Sequence, residues 1–182
     1  MIYVTGNKKK FEEASLALAP LPLEQVDLEL QEIQGTSEEI LQDKALKAWR
    51  ILKKPFIVED VSFEIEALGG MPGPYIKDFL FALSYHNISF FDIISPLKNT
   101  RAKSFCHVAY VCSEKNMTFI TGSTSGNIVS PEGSLDHGKV SYNKIFKPEN
   151  FSKTYGEMTM EEHSLYSSRG DALRKLKAYI DF

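Results

Sequence analysis

Long apolar runs are missing from this chain. No segment approaches the roughly 20 residues that a bilayer-spanning helix requires, so no membrane partner is expected. The amino terminus lacks a basic stretch followed by a long apolar core, and a strand-like run already begins at residue 2, so no secretory signal is expected. Cysteine is scarce. Cys106 and Cys112 stand on what reads as one extended strand, about 20 Å apart at ~3.3 Å per residue, whereas a disulfide needs Cα atoms within about 7 Å. They cannot pair along that strand, and a reducing cytoplasmic compartment fits. With secretion not expected, the sequons at Asn87, Asn116 and Asn150 and the tripeptide Arg169-Gly170-Asp171 carry no functional weight. No Cys/His cluster has zinc-site spacing, and the four histidines are scattered. Positive charge is not in excess: the net charge of −3 argues against a nucleic-acid surface, so any polyanion site must be local. Repeats, low-complexity segments and a Walker A loop are absent as well.

What remains is the composition of an ordinary globular chain, 43% apolar and 25% charged over 182 residues, enough for one domain, 1–182. Hydrophobic periodicity predicts strands at 2–5, 24–30 and 56–58, alternating with helices at 9–18 and 37–53. Thr36 and Glu39 have capping-box spacing at the start of the second helix. This β-α-β-α-β order predicts an α/β fold with a mixed sheet. Phe63, Ile65 and Ala67 alternate with acids and read as a further strand. Residues 68–74 must form an ordered loop rich in special backbone positions. Helices are expected at 75–85 and 89–94, a hairpin of strands 102–112 and 117–122, irregular structure with short extended pieces over 123–157, and a last helix at 171–179. The whole reads as an elongated sheet flanked by helices, with two lobes around a central cleft.

Thr5-Gly6-Asn7-Lys8-Lys9-Lys10 places three lysines where a helix starts. That end already carries partial positive charge and favours acids. A strand, a tight turn and a helix N-terminus in succession commonly build an anion site. The alternative is a solvated lysine run balanced by Glu12 and Glu13. Glu59-Asp60 follows the apolar Ile57-Val58. If the first and third strands run parallel, Asp60 shares a sheet edge with Thr5-Gly6-Asn7, where ligands of open α/β sheets bind. Carboxylates beside an anion site suggest Mg²⁺, and Glu32 can add a further one. Otherwise the pair is a polar strand end entering solvent. Lys44, on the margin of an apolar stripe, either snorkels to the helix edge or reaches a phosphate. Taken together, these groups suit a magnesium–polyphosphate ligand.

The chain resembles the inosine triphosphate pyrophosphatase family, the noncanonical purine nucleoside triphosphatases, over nearly its whole length. The resemblance rests on Thr5-Gly6-Asn7-x-x-Lys10, Glu32-Ile-Gln-Gly35, Val58-Glu59-Asp60, the long loop from Ala67 to Lys77, Thr124-Ser-Gly-x-Ile128, Lys153-Thr-Tyr-x-Glu-Met158, and Ser167 with Arg169. It implies an α/β homodimer that hydrolyses inosine, deoxyinosine or xanthosine triphosphate to the monophosphate and pyrophosphate. It implies that Thr5, Gly6, Asn7, Lys8, Lys9, Lys10 and Lys44 hold phosphates, with Val61 and Lys77 on the substrate. It further implies that Glu32, Asp60 and Glu59 serve Mg²⁺, and that Asp60 is the general base.

The base-recognition half departs from the family pattern. Phe-Gly-Trp-Asp-Pro is replaced by Val140-Ser141-Tyr142-Asn143-Lys144, a substrate lysine by His163, and a histidine by Ser168, while Arg169 remains. Ser168 can donate or accept, so it need not reject the 6-amino group of adenine. An intact triphosphate half beside an altered base half implies a pyrophosphatase with altered base choice. The alternative is a diverged nucleotide-binding protein or sensor with little turnover.

Overall fold

The amino-terminal third alternates strand and helix as its periodicity predicts. β1 (Ile2–Val4) leads to α1 (Lys8–Ala17), β2 (Glu24–Val26) to α2 (Ser37–Leu52), and α2 to β3 (Phe56–Ile65). The computed structural model describes residues 1–134 and 141–180. Past β3 come β4 (Pro72–Gly73), α3 (Ile76–Tyr85), α4 (Phe90–Ile94), the hairpin of β5 (Arg101–Ser113) and β6 (Asn116–Ile128), then β7 (Phe146–Pro148), α5 (Met160–Tyr166) and α6 (Ser168–Ile180). One mixed sheet runs in the order β2-β1-β3-β5-β6-β7, with β4 added to β3. β1 is parallel to β2 and β3, and the other pairs are antiparallel. Among the described residues, no helix is long and apolar enough to cross a membrane.

Alternation along β3 decides which helices cover which face. Phe56 and Val58 point to α2, packing with Leu41, Ala45 and Ala48. Ile57 points the other way, into a cluster with Ala14 of α1 and Leu173 and Leu176 of α6. Gly122 lets α6 lie directly on β6: a Cβ there would stand 2.1 Å from the Ser168 carbonyl oxygen. Further along β3, Phe63 and Ile65 enter a third cluster with α3, α4 and Phe146 of β7.

β1 stops while β3 continues. The register pairs Val4 with Val58, and β4 next covers β3 only at Phe63. The stretch 59–62 therefore faces a gap in the sheet, and the cleft opens there. The parallel pairing puts Asp60 at the carboxyl end of β1, as expected. The acids do not close a strand, however. The segment expected at 56–58 and the start of the one expected at 63–67 belong to one ten-residue strand with Glu59 and Asp60 in its middle, and Glu66–Leu68 form a short 3-10 turn after it.

Other boundaries shift for local reasons. β2 ends at Val26 rather than 30, although Leu28 and Leu30 still pack on the α2 layer. β6 runs to Ile128, beyond the 122 expected, while β7 is one of the short extended pieces expected over 123–157. α5 was not anticipated, although Thr159 and Glu162 form a full capping box at its start. The loop before α3 has Gly69, Gly70 and Gly73 at positive φ of 63°, 94° and 59°, a region costly for residues with a Cβ.

Candidate active site

A cleft of about 550 Å³ opens between the end of β1, the middle of β3, the start of α3, the 141–143 segment and the start of α6. Nearly every residue expected at a site lines it: Thr5, Gly6, Asn7, Lys10, Glu32, Lys44, Glu59, Asp60, Val61, Lys77, Ser141, Tyr142, Asn143, His163, Ser168 and Arg169. Lys8 and Lys9 are exposed and do not line it. Val140 lies outside the described residues.

The turn after β1 is tied down locally. Asn7 caps α1, its Oδ1 accepting from the Lys9 and Lys10 amides at 3.0 and 3.2 Å, while the Asn7 amide donates to Thr5 Oγ1 at 3.2 Å. Two amides expected to point at an anion are thus capped by the chain itself, which leaves the side chains as the main cationic contribution. Lys10 Nζ sits 2.9 Å from Glu59 Oε1.

Glu59 and Asp60 are neighbours in sequence but lie on opposite faces of the sheet, because strand side chains alternate. Asp60 faces the α2 side. Its Oδ1 accepts from Lys44 Nζ at 2.9 Å, and Lys44 also holds Glu32 Oε1 at 2.9 Å. Burial would lower the pKa of Lys44, yet Asp60 and Glu32 outweigh it and raise it. Burial likewise works to raise Glu32, and Lys44, Lys77 and Lys10 together bring it below its ordinary value. The Tyr75 hydroxyl secures the segment after Glu32 by donating to the Gly35 carbonyl at 3.1 Å and accepting from its amide at 3.1 Å. Asp60 Oδ2 is buried and has no hydrogen-bond partner among the described residues.

Glu59 faces the α1 and α6 side, where its carboxylate is taken up by cationic side chains. Arg169 Nε donates to its two oxygens at 3.0 and 2.9 Å, and Nη2 to Oε1 at 2.9 Å. Burial opposes the charge on Glu59, but Arg169 and Lys10 hold its pKa well below the usual carboxylate range. Arg169 Nη1 reaches Glu13 Oε2 at 2.7 Å. Glu13, fully buried, also accepts from Ser167 Oγ at 2.8 Å and contacts His163 Nδ1 at 2.9 Å through Oε1. Sequence reasoning considered Glu13 only in the alternative reading, as a counter-charge for a solvated lysine run. Its partners lie up to 156 positions away, and no local pattern announces them. Arg169, expected to donate to a base, thus has each of its three nitrogens on a carboxylate.

On the same face as Glu59, further along β3, Tyr142 stacks on Phe63 with ring centroids 4.2 Å apart. Its hydroxyl lies 2.8 Å from Ser104 Oγ, which lies 2.8 Å from Ser168 Oγ. Burial pushes the Tyr142 hydroxyl up to about 12, so it keeps its proton at neutral pH. Asn143 is buried, and its Nδ2 has no hydrogen-bond partner among the described residues. Ser104 and Phe63 were not expected at the site; both occupy strand positions indistinguishable from ordinary core.

A group of three or more His, Cys, Asp or Glu side chains poised for a metal is absent among the described residues. Glu32 and Asp60 nevertheless offer hard oxygen donors suited to Mg²⁺. Both residues line the cleft, Asp60 Oδ2 is buried without a partner among the described residues, and the two carboxylates already share one cation, the Lys44 ammonium.

The Ham1 family matches residues 1–179. The chain is 35% identical to the inosine triphosphate pyrophosphatase of Yarrowia lipolytica, an alignment covering 99% of this chain and 95% of that one. It is 36% identical to the inosine triphosphate pyrophosphatase of Giardia intestinalis, covering 99% and 92%. Among solved structures, a HAM1 protein from Coxiella burnetii superposes with a TM-score of 0.77 at 22% identity, covering 99% of this chain and 97% of the other. The Staphylococcus aureus Ham1 protein gives 0.74 at 21%, covering 99% and 97%. At such identities these two bear on the fold alone.

Proposed function

Since the chain belongs to the Ham1 family, we propose that it hydrolyses nucleoside triphosphates of the noncanonical purine kind, such as inosine, deoxyinosine or xanthosine triphosphate, to the monophosphate and pyrophosphate. The observation that carries this reading is the Glu32–Lys44–Asp60 arrangement in the cleft, with Lys10 and Lys77 beside it. Lysines at this density suit a polyphosphate, and a buried carboxylate oxygen without a partner suits a proton acceptor.

In this mechanism Lys44, Lys10 and Lys77 hold the triphosphate, and Asp60 Oδ2 takes a proton from the attacking water. The water oxygen bonds to the α-phosphorus, and the bond from that phosphorus to the bridging oxygen breaks. Pyrophosphate leaves with the bonding electron pair, its charge stabilised by the lysines. Glu32 and Asp60 would hold a divalent cation, Mg²⁺ in our reading, which supplies charge screening and polarises the phosphoryl oxygens. In this reading Glu59 fixes Lys10 and Arg169, and Glu32 and Asp60 are the residues left for the cation. Lys44, shared between the two carboxylates, would stand beside both that cation and the phosphates. We further infer a homodimer in the cytoplasm, the arrangement the family resemblance implies.

The test is pyrophosphate release with Mg²⁺ across a panel of triphosphates, together with Asp60→Asn. Loss of a general base lowers turnover by about 10²–10⁴-fold, while nucleotide binding measured by calorimetry is retained. Unchanged turnover in Asp60→Asn would remove Asp60 as the base. Triphosphate binding with no release by the wild-type protein would favour a nucleotide sensor instead.

A further inference from the structure

The far end of the cleft holds a buried amide with nothing to bond. Asn143 is 3% exposed and lines the cleft, and its Nδ2 has no hydrogen-bond partner among the described residues. Buried polar groups are normally paired, so this one fits an acceptor atom brought by a ligand. Next to it in the chain is Tyr142, whose ring rests on Phe63. Phe63 stands three residues beyond Asp60, about 10 Å along the strand at ~3.3 Å per residue. Asp60 and Phe63 point to opposite faces, so a nucleotide with its phosphates at Asp60 and its base at Tyr142 and Asn143 would span that separation around the open edge of β3 at 59–62.

The hydroxyls at this end have no fixed polarity. Ser168 Oγ, Ser104 Oγ and Tyr142 Oη form a chain with 2.8 Å links. Each hydroxyl both donates and accepts, so the chain can run in either direction, and its two ends, Ser168 and Tyr142, which line the cleft, can offer a ligand an O–H or a lone pair. The Asn143 amide also carries both a donor and an acceptor, exchanged by rotating its last bond. Arg169, a donor of fixed sign, is drawn away onto Glu13 and Glu59. The groups left facing a base are thus able to pair in either sense. A 6-oxo purine presents an acceptor at C6 beside a donor at N1. Adenine presents the reverse, an amino donor at C6 beside an acceptor at N1.

We propose that the cleft also takes 6-amino purine nucleoside triphosphates, with Asn143 Nδ2 donating to N1 and the Ser168–Ser104–Tyr142 chain accepting from the amino group. This rests on the pyrophosphatase reading above and names a substrate class for the same site. A site whose groups penalise neither edge discriminates little, because a mismatch at a fixed polar group is what produces large selectivity.

The experiment measures kcat/KM of the wild-type protein for inosine, xanthosine, adenosine and deoxyadenosine triphosphates with Mg²⁺. Adenosine triphosphate is expected within about tenfold of inosine triphosphate, the factor one hydrogen bond represents. A preference for inosine triphosphate of a hundredfold or more overturns the adenine proposal and leaves the pyrophosphatase reading standing. No release from any triphosphate overturns both. Asn143→Asp, which replaces the amide with a pure acceptor, should lower kcat/KM for adenosine triphosphate at least about tenfold relative to inosine triphosphate. A ratio unchanged by that variant removes Asn143 from base reading. The wild-type ratio decides the substrate class even if the variant does not fold.

Discussion

Glu13 and Glu59 are buried acids with Arg169 standing between them, and, against the opposing effect of burial, Arg169 holds the pKa of Glu59 well below the usual range. Removing one member of such a cluster strands its partners, at about 3–5 kcal/mol in comparable cases. The same pairing predicts how stability varies with acidity. Glu59 is more acidic folded than unfolded, so its contribution is fully present above its unfolded pKa, about 4.3. It is lost as pH falls through the lower folded value. The melting temperature followed by circular dichroism should therefore fall steeply below about pH 4.3. Glu59→Gln should melt lower at pH 7 and show a shallower fall. Parallel curves for the two proteins would mean that other carboxylates set the acid limit. None of this could be read from sequence. A Glu-Asp pair after Ile57-Val58 resembles a strand running into solvent, and the cation that buries Glu59 lies 110 positions away.

At the scale of elements, more was readable. The Thr5-Gly6-Asn7 turn, the capping box of α2 and the parallel order of β1 and β3 follow from local chemistry and periodicity. They suffice to bring Asp60, Lys44 and Lys10 to one edge of the sheet. α5 was hidden because a seven-residue helix has too few turns to display a period, and only its cap was available as a signal. The opening of α1 explains the run of lysines. Lys8 and Lys9 point outward, while Lys10 turns into the cleft. Alanine at Lys10 should raise KM for the best triphosphate about tenfold, as expected for one charge-assisted hydrogen bond. Alanine at Lys8 should leave KM within about twofold, since exposed charges contribute little. Equal effects at the two positions would mean that the helix end acts through its overall field rather than through a contact.

The whole molecule is a sheet with helices on both faces, and its site draws on each layer: Lys44 from α2 on one side, Lys10 and Arg169 from α1 and α6 on the other. Fold class was readable from the alternation of strands and helices. The pairing of distant layers was not, because the helix that meets a given face is settled by topology rather than by local pattern. Activity is therefore expected to be lost in the same urea transition as the fluorescence of Trp49, the sole tryptophan, which reports on α2. Turnover lost well before the fluorescence changes would mean that α1 and α6 can leave the sheet alone. The two acids in the middle of β3 have a consequence here. One is held by the layer above the sheet and the other by the layer below, so a half-assembled chain owns no working half-site. Catalysis becomes a readout of cooperative folding, and partly folded copies meeting nucleotide in a cell would be silent rather than error-prone.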